Sequence, residues 1–219
     1  SYLPVAFGLE PVSTLAEAAR AAVSTDPNVL ARLMLKVNDH LQILGTGNDR
    51  LLEDPITADQ AEKLVDRLLA TTPNVIVDLS GAAVPLMRLV LSRARHILLV
   101  SMPTLSSLRP ARSLLSDIQN LRGGDFKDVH LVINRVGEAS SSEIGRGDIE
   151  AAIGTNVRVQ IPFDSKLVMG SESENKILGM QRGAEKMTQS LLACVMGGPR
   201  SDAGKGTGIL GGLMGRGKK

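Results

Sequence analysis

Short apolar runs that end on a polar residue recur along this chain, and each is followed by a stretch with helical periodicity. The runs are HLQILG near residue 40, NVIVDLSG at 74–81, HILLVSM at 96–102, VHLVINRV at 129–136 and VRVQIPFD at 157–164. NVIVDLSG and HILLVSM lack polar alternation, so they predict strands buried on both faces. Between the runs lie helical patterns of 10 to 20 residues. Strands joined by helices of that length imply right-handed crossovers and a parallel sheet. The expected fold class is therefore α/β, a mostly parallel sheet with helices on both faces.

The helical segments carry local signals. TLAEAARAA opens on Thr14 with Glu17 three places on, and TADQAEKLVDRLLATT on Thr57 with Gln60, both capping-box spacings. DPNVLARLMLKV predicts a helix with Pro27 in its first turn. In the second capped segment Ala61, Leu64, Val65, Leu68 and Leu69 share a face. VPLMRLVLSRA is a further helix, and in LRPARSLLSDIQNL the residues Ala111, Leu114, Leu115, Ile118 and Leu121 point inward. DIEAAIG is a short helix closed by Gly154, and GAEKMTQSLLACVMG ends the fold with Met187, Leu191, Cys194 and Val195 on one stripe.

From Gly197 onward glycine recurs at 204, 206, 208, 211, 212, 215 and 217. Such a segment loses too much backbone entropy to fold alone, so residues 1–197 read as one domain and 198–219 as a flexible tail. The tail holds five of the 25 basic residues and one of the 23 acids, which leaves the body at a net charge of −2. The only aromatics are Tyr2, Phe7, Phe126 and Phe163. With no basic face and few rings to stack bases, no nucleic-acid partner is expected. Ile209, Leu210, Leu213 and Met214 beside the basic end suggest weak contact with an anionic membrane surface. No apolar run reaches the ~20 residues of a membrane span. The lone Cys194 fits a cytoplasmic setting.

The tail also contains GPRSDAGKGTG. A phosphate loop needs Gly, four residues, then Gly-Lys-Ser/Thr, placed between a buried strand and a helix. Here five residues separate Gly198 from Gly204, Gly206 follows the lysine, and neither strand nor helix flanks it. It is not such a loop. In a parallel sheet ligands gather where strands end, which directs attention to Asp78 to Gly81, Met102 to Thr104, Asn134 to Arg135, and Pro162 to Asp164. His40, His96 and His130 each precede an apolar run with no carboxylate or cysteine at metal-ligand spacing, and read as structural.

Over residues 5–196 the chain resembles the CpaE/TadZ proteins of Flp (Tad) pilus assembly, relatives of the MinD/ParA ATPases with a P-loop NTPase fold. VAFGLEPVSTLAEA is similar to the family's stretch after its second strand, and VIVDLSG to the strand bearing its magnesium-side carboxylate. LLVSMPTLSSLRPARSLL is similar through Ser107, Arg109 and Ala111, which follow the family's Ser-x-Arg-x-Ala pattern. LVINRV resembles the strand whose terminal Asn contacts adenine, and IPFD the Ile-Pro-x-Asp strand end that lines the base pocket.

The resemblance implies ATP or ADP with Mg, held by Asp78, Gly81, Asn134, Arg135, Pro162 and Asp164, with Asp78 on the magnesium through water. Asp78 also fits as a helix cap, Gly81 as a turn glycine and Asn134 as a strand terminator. Arg109 and Arg112 stand at a helix start, where positive charge opposes the helix dipole, and suit a protein or phosphate partner. The implied role is pilus assembly and localisation as a homodimer that recruits the pilus secretion ATPase and assembly proteins, at the inner face of the cytoplasmic membrane or the cell pole. An active partitioning or site-selecting ATPase, and a nucleotide-free scaffold, remain the alternatives. The family's first strand, its Lys-Gly-Gly-x-Gly-Lys-Thr loop and its second strand have no counterpart in these residues, and Ser80 replaces the proline common after the aspartate. Because that first strand lies inside the family's sheet, its absence predicts a slot of unpaired backbone and apolar surface, filled by another segment or leaving the chain unstable alone.

Overall fold

The computed structural model describes residues 3–26, 28–45, 56–124, 126–174 and 176–196. The Gly-rich tail and Pro27 lie outside the described residues. The chain opens with a single turn, α1 (Leu3–Ala6), then α2 (Leu15–Ala22) and α3 (Asn28–Arg32). Two short strands follow, β1 (Leu35–Lys36) and β2 (Gln42–Ile43), then α4 (Ala58–Thr71) and α5 (Val84–Arg93). The second half alternates: β3 (Ile97–Ser101), α6 (Leu105–Leu121), β4 (Val129–Val136), α7 (Arg146–Ile153) and β5 (Val157–Pro162). Last come α8 (Ser165–Ser173), a 3-10 turn at Leu178–Met180 and α9 (Glu185–Met196).

Both capping boxes form. Thr14 accepts from the Glu17 amide at 3.2 Å while Glu17 accepts from the Thr14 amide at 3.0 Å, and Thr57 and Gln60 repeat the exchange. Each box satisfies two amide donors that a helix start otherwise leaves open.

The main sheet is parallel, in the order β3-β4-β5, and β1 pairs with β2 in a separate antiparallel ribbon. On one face α6 and α7 bury Leu108, Leu115, Ile118, Ile149 and Ile153 against Leu99, Leu131 and Ile133. On the other face α9 covers Val132 and Val159 through Cys194 and Leu191. Helices thus lie on both faces, as the alternation of patterns implies. The N-terminal helices pack on one another through Ala18, Ala19, Leu30, Ala61, Leu64 and Val65.

Four expectations are corrected. The helix expected over DPNVLARLMLKV ends at Arg32, and Leu35 and Lys36 turn back into β1. NVIVDLSG is not a strand buried on both faces: residues 74–79 join no ladder, and Ile76 is 94% exposed. Likewise β3 is buried on one face only, with Leu98 38% and Val100 56% exposed, because α9 reaches β4 and β5 but not β3. Leu69 and Leu121, placed on inward stripes, face solvent near the ends of their helices. Among the described residues β3 has one neighbouring strand and 74–79 has none. β3 therefore has an open edge among the described residues, and Ile76, Leu98 and Val100 are exposed apolar side chains, the combination that sheet edges ordinarily conceal.

Candidate functional site

The carboxyl ends of β3 and β4 enclose an open cavity of about 410 Å³ with the start of α6. Val100, Ser101 and Met102 supply one wall, Ser106, Ser107 and Pro110 of α6 a second, and Asn134 and Arg135 of β4 the third. That volume lies within the range of small-molecule sites. The parallel register sets the walls: Ser101, the last residue of β3, stands opposite Ile133, and β4 runs on to Val136, so Asn134 and Arg135 lie just past the end of β3. The α6 hydroxyls form a cluster, Thr104 Oγ1 lying 3.1 Å from Ser106 Oγ and 3.2 Å from Ser107 Oγ. Thr104 is the N-cap residue, and its side chain turns to those hydroxyls rather than to the helix amides.

Asn134 accepts from the Arg135 amide through Oδ1 at 2.9 Å, which orients the side chain. Arg135 sits in the left-handed region at φ 60, a conformation that costs a bulky residue about 1–2 kcal/mol. Its guanidinium is held from two sides, by an ion pair with Glu138 and by the Phe163 ring, 5.5 Å from the ring centroid. Phe163 arrives there because Val136 pairs with Pro162 at the end of the ladder and the Phe163 amide donates to the Val136 carbonyl at 2.8 Å.

The turn after β4 is closed by Glu143. Its carboxylate accepts from the Gly137 amide at 2.9 Å and the Ala139 amide at 3.0 Å. The Ala139 amide first, then that of Gly137, holds this carboxyl below the usual glutamate range. Gly137 takes φ 93, which suits glycine.

The strand-end residues thus fall into two groups. Asn134 and Arg135 line the cavity, whereas Pro162, paired with Val136 beyond the ladder irregularity that holds them, is not in its lining. Asp164 follows at the same strand end, where its Oδ1 accepts from the Leu167 amide at 2.9 Å and caps α8. Asp78 and Gly81 lie outside the lining of this cavity. Asp78 Oδ1 accepts from the Ser80 amide at 2.9 Å, and Gly81 takes φ 67 in the turn that follows. Asp78 is not the cap of the next helix, which begins at Val84 with Ala83 as its N-cap. Arg109 and Arg112 are exposed on α6, with no ion pair among the described residues. The sequence singles out Ser107, through the Ser-x-Arg-x-Ala likeness, but neither Ser106 nor Phe163. The pair of serines two residues before Arg109 was the available signal, whereas Phe163 depends on strand register.

A second hollow, about 490 Å³ between α2 and α3, is lined by Glu17, Arg20, Ala21, Ser24, Val29 and Leu33. Glu17 is already engaged in its capping box, and none of the residues at the strand ends of the main sheet lines this hollow.

No helix among the described residues is long and apolar enough to cross a membrane. No group of three His, Cys, Asp or Glu among them is arranged to hold a metal ion.

The fold is the one seen in the MinD/ParA class of ATPases. It superposes on a ParA family ATPase from Chlorobium tepidum with a TM-score of 0.69 and 16% identity, covering 86% of this chain and 80% of that one. The MinD cell division protein in its complex with MinC from Aquifex aeolicus gives 0.65 and 16%, covering 90% and 79%. The cell division ATPase MinD of Pyrococcus furiosus gives 0.61 and 15%, covering 89% and 78%. No family model and no curated protein matches the chain.

Proposed function

We propose that this protein is an assembly and localisation factor for Flp/Tad pili that takes ATP or ADP in the cavity at the ends of β3 and β4. The cavity carries the nucleotide part of this reading. It has the size for a base and ribose, the Asn134 amide can donate and accept at a base edge, and hydroxyls of Ser106 and Ser107 line the opposite wall. The likeness in fold to ATPases of the MinD/ParA class supports it.

The base side of a nucleotide fits these residues, while no loop of phosphate-cradling spacing stands between a strand and a helix in the sequence. A bound magnesium ion would neutralise charge at the phosphates. In this reading the grip on the phosphates comes from other polypeptide entering beside β3, whose outer edge has no strand among the described residues.

The pilus part rests on the resemblance around Ser107, Arg109 and Ala111 and in the IPFD strand end. It casts the protein as a homodimer at the inner face of the cytoplasmic membrane or the pole. Arg109 and Arg112 then meet acidic groups of the secretion ATPase, and the basic tail touches anionic lipid. That one structural neighbour is MinD in complex with MinC supports a protein partner.

Calorimetric titration of the intact protein with ATP and magnesium, and with ADP, tests the nucleotide reading. Saturable binding that weakens at least about tenfold in Asn134→Ala is expected, the loss of one hydrogen-bonding group at the base edge. Neither heat nor a thermal shift would leave the nucleotide-free scaffold as the function of this fold. Direct binding to a purified Tad secretion ATPase, reduced in Arg109→Glu, tests the partner, and its absence removes the pilus assignment.

A further inference from the structure

His96 and His130, 34 residues apart in sequence, meet at the amino-terminal end of the sheet, opposite the cavity. His96 precedes β3 and His130 is the second residue of β4, so the register that sets Ile97 opposite Val129 also sets the two rings together. The rings stack with centroids 5.7 Å apart and planes inclined at 24°. His130 Nε2 lies 3.5 Å from His96 Nδ1, and Asp128 Oδ1 lies 4.0 Å from the same Nδ1. From β5, Arg158 adds a positive charge that acts on His130.

Two ring nitrogens at that separation hold together when one carries a proton and the other a lone pair. The neutral pair meets this condition, and so does the pair with one extra proton. With both rings charged, N–H faces N–H, the contact is lost and two cations oppose each other. What the contact braces is β3, whose ladder among the described residues is with β4 alone. The far end of β3 is Ser101, in the cavity wall.

We propose that His96 and His130 form an acid-sensitive latch on β3: double protonation opens the contact, loosens β3 from β4, and disorders the cavity wall that β3 supplies. The latch is independent of the nucleotide reading, because it needs no ligand. Burial first, then His96 and Arg158, hold His130 below its ordinary value of 6.5, while Asp128 acts in the opposite sense. The opened state therefore takes up the proton first as pH falls below 6.5. Latch stability is complete above that value and is lost as pH falls through the depressed value of His130.

Hydrogen exchange of the full chain between about pH 7.5 and 5, with rates divided by their intrinsic values, tests the proposal. Opening of residues 97–101 is expected to rise by up to about tenfold for each pH unit between 6.5 and the folded value, while α4 stays level. His130→Gln keeps a polar side chain that does not titrate, and its exchange is expected to be flat with pH; if that variant does not fold, His96→Gln serves in its place. Ring-proton titration of the wild type reads the latch directly. A β3 that opens equally at all pH values, a Gln variant with the wild-type slope, or a His130 ring titrating at or above 6.5 overturns the proposal.

Discussion

Arg135 concentrates the residue-scale logic of the cavity. A left-handed φ of 60 is disfavoured for a long side chain, and it persists because Glu138, Phe163 and the Asn134 side chain each fix one part of the residue. The same bend sends Asn134 to the cavity and Arg135 toward Phe163. Arg135→Gly removes the strain together with the ion pair and the ring contact. It is expected to change the melting temperature little while weakening nucleotide binding at least about tenfold, since glycine loses about as much in chain entropy as it relieves in strain. Unchanged affinity in a titration would take Arg135 out of the site. Asn134 was readable in the sequence because a strand end is a local pattern. Phe163 and Glu143 were not, because their roles arise from register and loop closure, which no local pattern encodes. Gly45 is another case: a Cβ there would collide with the Pro4 ring, a contact between chain segments 41 residues apart that nothing in either segment announces.

At the scale of elements, the capped helices were the most readable parts, since Thr14/Glu17 and Thr57/Gln60 carry their own start signals within four residues. Thr57→Ala is expected to lower stability by about 1 kcal/mol in denaturant unfolding, the ordinary worth of an N-cap. The apolar run at 74–79 shows the complementary limit: a strand is a pairing, and this run joins no ladder among the described residues. The helix α8, capped by Asp164, was missed because its apolar residues keep no helical stripe. The α7-β5 junction shows how two charged residues can anchor a strand. Arg146 donates to the Val157 carbonyl and Glu150 accepts from the Val157 amide, both at 2.9 Å. The Arg146 side chain first, then the Val157 amide, holds Glu150 below its ordinary value of 4.5. This contribution is therefore present above pH 4.5 and lost as pH falls through the lower folded value. Glu150→Gln is expected to flatten the acid limb of a melting-temperature profile below pH 4.5 and to lower the melting temperature at neutral pH. An unchanged acid limb would show that the anchor lies elsewhere.

For the molecule as a whole, the class of fold was readable because alternating strand and helix patterns admit few topologies. What the alternation left open was how the helices divide among cores. Ile133, fully buried under α6, belongs to the sheet core, and Ile133→Ala is expected to cost about 2–5 kcal/mol, measured by denaturant unfolding. The N-terminal helices have a core of their own, and α5 takes part in both: Leu86 is buried with Ala61 and Val65, Leu91 with the sheet. Leu86→Ala is expected to separate far-UV and sheet-specific transitions that coincide in the wild type, and coincident transitions in the variant would contradict a dual role for α5.

That shared membership makes α5 a mechanical joint. A pull or a push delivered to the front helices reaches the strands through one rod about 15 Å long, ten residues at the rise of an α-helix. Whatever docks on the front helices has in that rod a lever on the strands.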